Sequence, residues 1–199
     1  MEPVGPRLLV LGVGNILLRD EGVGVHVVRE LAKRGYPPEV EIVDGGTAGL
    51  DLLYLIEDAS YLIIVDAVNN NAEPGTVFKF NLEELDDFIP AISSSLHEIG
   101  LLEVLHMGKA MGILPPTVVF GIQPAVIDWG MDLTPPVAAG LSHLTALVAE
   151  EIEKWVAENL SSKAGDLLLQ TENAPLKKTA GERGFLEAKN NQQVSRKQM

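Results

Sequence analysis

The strongest constraint on the fold is an alternation between short apolar runs and segments whose apolar residues recur at helical spacing. Runs such as Leu8 to Val13 and Tyr61 to Val65 suit strands that are buried on both faces of a sheet. Helical spacing follows these runs, as at Val23, Val27 and Leu31. Strands that alternate with helices form βαβ units. The sequence therefore predicts an α/β fold, a three-layer α/β/α sandwich with a twisted, mostly parallel sheet of about five strands.

The same patterns give the bounds of the elements. The predicted strands are 8–13, 40–43, 61–65, 76–80 and 117–122. The predicted helices are 21–34, 50–57, 82–88, 97–111 and 134–160. The last helix has the clearest start, because Thr134 is a good N-cap and the prolines after it suit the first turn.

Composition excludes several classes of protein. The chain has 199 residues, 46% of them hydrophobic, and contains no cysteine. A thiolate nucleophile, a disulfide framework and a thiolate metal site are therefore excluded. No apolar run approaches the roughly 18 residues of a membrane span, and the N-terminus lacks a signal-peptide pattern. We expect a cytoplasmic protein with no membrane insertion.

Charge divides the chain into two parts. Residues 161–199 contain seven Lys or Arg and four Asp or Glu, a net charge of +3. The whole chain carries −13, so residues 1–160 carry −16. An acidic body repels phosphate backbones, and no nucleic-acid partner is expected. We predict one α/β domain over 1–160, followed by a mobile basic tail over 161–199 with one short helical turn.

Three side chains with metal-binding chemistry occur at the ends of predicted elements. Glu21 follows the first strand, Asp66 ends the third, and His97 opens a helix. In parallel α/β sheets, ligands bind beyond the carboxyl ends of the strands, and Glu21 and Asp66 both sit at that edge. Two carboxylates and one imidazole can hold a divalent metal with coordination positions left open. If the three converge, the chain handles a metal and hydrolyses a substrate.

The glycine-rich loop after the first strand allows a different interpretation. Gly12-Val13-Gly14 lies between a strand and a helix, as in dinucleotide-binding proteins. However, Leu17 stands where the third glycine of that fingerprint belongs. Asp20 and Glu21 would also place two negative charges beside a phosphate. No nucleotide is therefore expected, although a nucleotide-binding module stays open as a less favoured alternative.

Four ordered blocks resemble the hydrogenase maturation proteases. They are GVGNILLRDEGVG at 12–24, DGGTAG at 44–49, DA at 66–67 and SLHEIGL at 95–101. The resemblance covers roughly residues 7–160, and four blocks in order are far more specific than one short motif. It implies an endopeptidase that removes the C-terminal extension of the large-subunit precursor of a nickel–iron hydrogenase after nickel insertion.

The resemblance also implies a site. Glu21, Asp66 and His97 match the three metal-contacting, catalytic positions of the family, and the metal is nickel carried by the precursor. A substrate cleft is implied at Asp44, Gly45 and Gly46.

The catalytic base stays open among Asp20, Glu98 and Asp44. A bound metal would polarise the scissile carbonyl or lower the pKa of a bound water. A non-catalytic chaperone that senses the metal through the same three residues is the main alternative to an enzyme.

Overall fold

The computed structural model describes residues 5–82 and 101–172, with side chains described as far as residue 160. The chain divides into two compact units, Met1–Asn159 and Leu160–Met199. Within the described ranges, none of the helices combines the length and the apolar character that a membrane crossing requires.

A single five-stranded sheet forms the centre of the first unit. Its strands are β1 Leu8–Val13, β2 Val40–Gly46, β3 Tyr61–Ala67, β4 Val77–Asn81 and β5 Thr117–Ile122. The order across the sheet is β2-β1-β3-β5-β4, and only the edge strand β4 runs antiparallel to its neighbour. The predicted α/β class and the mostly parallel sheet are therefore confirmed.

Helices connect the strands and cover both faces of the sheet. They are α1 Val23–Leu31, α2 Leu52–Ile56, α3 Leu101–Met111 and α4 Pro135–Glu172. Two 3₁₀ turns, Arg19–Gly22 and Gly49–Asp51, lead into α1 and α2. Burial on both faces explains why β1 and β3 are nearly continuous apolar runs.

Side chains on one face of the sheet pack against α2 and α3. The buried cluster there includes residues Leu9, Leu11, Leu62, Ile64, Leu52, Ile56, Val104 and Leu105. The opposite face is covered by α1 and by α4 as far as Asn159, where Lys79 of β4 pairs with Glu151 of α4. Each fully buried Leu or Ile contributes roughly 1.5–3 kcal/mol, so the two layers hold the strand ends firmly in register.

Most predicted bounds differ from the structure by a few residues, and two of the differences have a clear local cause. The first helix begins at Val23 rather than Glu21, because residues 19–22 form a tighter 3₁₀ turn. Strand β2 continues to Gly46, because its backbone pairs with β1 beyond the apolar run.

The predicted tail begins as helix. The last helix runs on to Glu172, so the prediction of one short turn after residue 160 is wrong for residues 161–172. The mobility of the tail stays a prediction. The helix predicted at 82–88 and the start of that at 97–111 lie almost entirely outside the described residues.

Candidate active site

Glu21 is placed by close packing of backbone on backbone. It lies in the 3₁₀ turn between β1 and α1 and is 1% exposed. A Cβ at Gly24 would overlap the carbonyl oxygens of Val13 and Val65, so only glycine lets α1 begin directly against the ends of β1 and β3. Gly14 has a φ of 125° and lies against the carbonyl of Glu21. The glycines of the loop therefore seat the turn that carries Glu21.

Asp66 lies at the carboxyl end of β3. It pairs with Gly121 of β5, one residue beyond the last pairing of β3 with β1. Its side chain is 3% exposed and accepts a hydrogen bond from the Ala67 backbone N–H at 2.7 Å. Burial, together with the negative charge of Glu21, raises the pKa of Asp66 from 3.8 to about 7. Glu21 therefore lies within electrostatic range of Asp66, and the joint contact of the two carboxylates with a metal stays a prediction.

His97 lies outside the described residues, and so do Ser93 to Ser95 and Glu98. Its convergence with Glu21 and Asp66 stays a prediction. Among the residues the structure describes, no group of three His, Cys, Asp or Glu side chains is arranged to hold a metal ion. Of the three predicted site residues, the structure therefore describes Glu21 and Asp66, called here the acidic pair.

Asp20 has a different role from its neighbour Glu21. Its fully buried carboxylate accepts hydrogen bonds from the backbone N–H groups of Ala125, Val126 and Thr134 and from the Thr134 hydroxyl. The four contacts are 2.7–3.0 Å long and use both oxygens. Asp20 therefore joins the Glu21 turn to the segment before α4, and the suggestion that it acts as a catalytic base is not supported.

A cavity of about 290 Å³ opens beside the turn. Its lining residues are Gly14, Asn15, Ile16, Leu17, Val25, Arg29, Asp44, Gly46 and Thr47. The predicted cleft residues Asp44 and Gly46 belong to it, whereas Gly45 is buried beside Leu52 and does not. At the cavity, Arg29 of α1 donates two hydrogen bonds to the Asp44 carboxylate, at 2.8 and 3.1 Å.

The sequence does not predict the Arg29–Asp44 ion pair or the Asp20–Thr134 contact. In the sequence, Arg29 has the pattern of an exposed residue on an amphipathic helix. Asp44 comes near it only through the parallel pairing of β1 and β2. Thr134 was identified as a helix cap, but its partner lies 114 residues earlier in the chain. Both contacts join residues that are far apart in the sequence, so no local sequence pattern predicts them.

Together, the sheet and the acidic pair define an α/β protein with an anionic site beyond the carboxyl ends of its central strands. Such a site suits a cationic group, because a positive charge removes the repulsion between Glu21 and Asp66.

Comparison with known proteins identifies the family. The sequence profile of the family "Hydrogenase maturation protease" matches residues 25–151. The chain is 40% identical over 152 residues to the hydrogenase expression/formation protein HupD of Bradyrhizobium diazoefficiens, covering 75% of this chain and 79% of HupD. It is 42% identical over 139 residues to the hydrogenase 2 maturation protease of Escherichia coli, covering 67% and 82%.

A solved structure gives the same result. The hydrogenase maturating endopeptidase HybD from E. coli superposes with a TM-score of 0.68 at 37% identity, over 74% of this chain and 93% of HybD. The chain belongs to the hydrogenase maturation protease family. It is an endopeptidase of hydrogenase maturation, and therefore a hydrolase.

Proposed function

We propose that this endopeptidase removes the C-terminal extension from the large-subunit precursor of a nickel–iron hydrogenase after nickel has been inserted. The enzyme docks on the nickel of its substrate through Glu21, Asp66 and His97. Family membership supports the class of reaction, and the acidic pair supports the mode of docking.

The observation that carries the proposal is the interaction between two buried carboxylates. Burial and the nearby negative charge of Glu21 disfavour the ionised form of Asp66, whose pKa is raised to about 7. A divalent cation beside the pair reverses the effect, because each carboxylate then stabilises the cation. Carboxylate oxygen and imidazole nitrogen are ligands that nickel accepts.

Nickel carried by the precursor would supply a Lewis acid that polarises the scissile carbonyl or lowers the pKa of a bound water. The chain's own residues position that chemistry. The turn that Asp20 and the glycines hold in place presents Glu21 at a fixed position. The cavity beside it, with Asp44 and Arg29 on its wall, is where the extended peptide lies. With Asp20 fully bonded, Asp44 and Glu98 remain the candidates for a base.

The test is a processing assay with purified precursor, read as loss of the extension's mass. We expect the nickel-loaded precursor to be cut and the metal-free precursor to be ignored. Asp66→Asn should abolish cutting. Glu151→Gln, which neutralises a buried carboxylate on α4, serves as the matched control. Equal processing of metal-free precursor would contradict the proposal, and binding of nickel-loaded precursor without any mass loss would favour the chaperone alternative.

The nucleotide-binding alternative is disfavoured by the geometry of the loop. The backbone at Gly14 lies against the carbonyl of Glu21. The absence of a side chain at Gly14 therefore lets the turn pack closely, and the space is not left for a pyrophosphate. A shift in melting temperature with nucleotides would revive that alternative.

A further inference from the structure

Four large apolar side chains are exposed on two loops near the site. They are Leu17, Val126, Trp129 and Met131, called here the apolar rim. Trp129 is 75% exposed and Met131 is 62% exposed. Single exposed apolar residues are ordinary, but Trp and Met are enriched at protein interfaces, and here both are exposed on the loop that is bonded to the Glu21 turn.

The rim is attached to the turn that carries Glu21. The Gly130 N–H donates to the Leu17 carbonyl at 3.0 Å, and the Arg19 N–H donates to the Gly130 carbonyl at 2.8 Å. The Asp20 carboxylate accepts from the Val126 N–H at 3.0 Å. These bonds join residues 17–20 to residues 126–130, so a partner held on the rim is positioned relative to Glu21.

We propose that the apolar rim is the docking surface for the folded body of the large-subunit precursor, next to the peptide that is cut. This rests on the proposed function, because it takes the same precursor as substrate. Leu17 belongs both to the rim and to the wall of the cavity beside Asp44. One partner that places its extension in the cavity therefore also meets the rim, and the two surfaces are continuous through Leu17.

Charge around the rim specifies the partner's surface further. Asp128 and Asp132 are both exposed and flank the segment Trp129 to Met131. The matching surface is an apolar patch with Lys or Arg opposite Asp128 and Asp132, since the Arg19 side chain lies against Gly130 between them. Acidic residues at the edge of an interface mainly accelerate encounter, so the association rate should fall as salt is raised.

The test separates docking from chemistry by kinetics. Trp129→Ala should raise KM for the nickel-loaded precursor about tenfold or more, as expected for a buried interface Trp, and leave kcat within about twofold. Tyr54→Ala on α2 is the matched control, since Tyr54 is an aromatic residue that is 78% exposed, and it should change neither constant. An unchanged KM for Trp129→Ala, with its melting temperature intact, would overturn the proposal.

A binding measurement distinguishes a failure of docking from a failure of the proposed function. In the cleavage-deficient Asp66→Asn background, adding Trp129→Ala should weaken binding to the precursor about tenfold or more. If wild type binds the precursor but never shortens it, the proposed function fails, while weaker binding by the Asp66→Asn, Trp129→Ala double variant still supports docking. If wild type shortens the precursor, and Asp66→Asn binds it as tightly with Trp129→Ala as without it, only the docking proposal fails.

Two other occupants of the rim are also tested. If Trp129→Ala converts a dimer of this chain into a monomer in sedimentation, the rim is an interface between two copies. If deletion of residues 173–199 makes Trp129 more accessible to acrylamide quenching, the rim holds the chain's own C-terminal segment. Either result overturns the assignment to the precursor, and a monomer with unchanged quenching supports it.

Discussion

Two buried carboxylates in this molecule have opposite surroundings. Glu151 on α4 is 8% exposed and accepts hydrogen bonds from Lys79 at 2.7 Å and from the Tyr61 hydroxyl at 3.0 Å. Burial alone would raise the pKa of Glu151, but these partners lower it below its usual value. Asp66 has one backbone hydrogen bond and the negative charge of Glu21, and its pKa rises to about 7.

The contrast separates a carboxylate with structural partners from the carboxylate to which we assign a functional role. Evolution of a stable fold favours the arrangement at Glu151, where a buried charge has a cation and a hydroxyl beside it. None of the ion pairs in the described part of the chain involves Asp66. An acid kept in such surroundings points to a role in which a positive charge arrives with a ligand.

The largest expected difference between the two regions is in activity. Asp66→Asn and Glu21→Gln should each lower the processing rate by at least about 10³-fold, because a neutral amide compensates a cation poorly. Glu151→Gln should stay within about twofold. The measurement is single-turnover cleavage of nickel-loaded precursor, with circular dichroism to confirm folding. His97→Ala is expected to behave like Asp66→Asn, and full activity in any of these three site variants would break the comparison.

The next effect is a gain in stability at the site. Folding raises the pKa of Asp66 from 3.8 to about 7, so the folded state binds more protons and loses stability as pH rises through this window. At 1.36 kcal/mol per pKa unit, Asp66→Asn should stabilise the metal-free protein by at most about 4 kcal/mol at pH 8. About half of that gain should remain at pH 5.5. Urea unfolding at pH 5.5 and pH 8 measures this gain in the free energy of unfolding. Both pH values are above the sequence pI of about 4.6. A destabilised Asp66→Asn at pH 8 would show that the pair is part of the structural framework.

The third effect concerns Asp20, a buried carboxylate with neutral donors. Asp20→Ala should lower the free energy of unfolding by about 3 kcal/mol, because it leaves the two buried donors of Thr134 unpaired at about 1–3 kcal/mol each, whereas Ala125 and Val126 are exposed residues that water can reach. It should also lower processing, since the Glu21 turn is no longer joined to the segment before α4. Thr134→Val, which removes only the hydroxyl donor, is the milder comparison and should cost about 1 kcal/mol. Equal stability of Asp20→Ala and wild type in urea would refute the assigned role.

The sequence predicts the sheet well for a definite physical reason. Strands buried on both faces need apolar side chains at every position, and the runs at 8–13 and 117–122 match β1 and β5 at both ends. Asp66 could be placed because it lies where such a run stops, and Glu21 because it lies in the loop between the first strand and the first helix. Both side chains are buried in the structure.

Long-range polar contacts could not be predicted in the same way. Asp20 and Glu21 are adjacent acids with similar propensities, and only a segment more than 100 residues later distinguishes them. The extension of α4 to Glu172 was missed for a related reason. A helix without an apolar stripe gives no periodic signal, although its residues have adequate helix propensity.

The smallest expected effect is at the structural carboxylate. Lys79→Met should lower the free energy of unfolding by about 1 kcal/mol, a modest value because Lys79 is half exposed and its charge is screened. The pKa of Glu151 is lowered by folding, so its contribution is present above the unfolded value of 4.5 and is lost only as pH falls below it. The cost of Lys79→Met should therefore be the same at pH 5.5 and pH 8, whereas the gain from Asp66→Asn should roughly double between them. Parallel pH dependences for the two variants would remove the distinction between the two carboxylates.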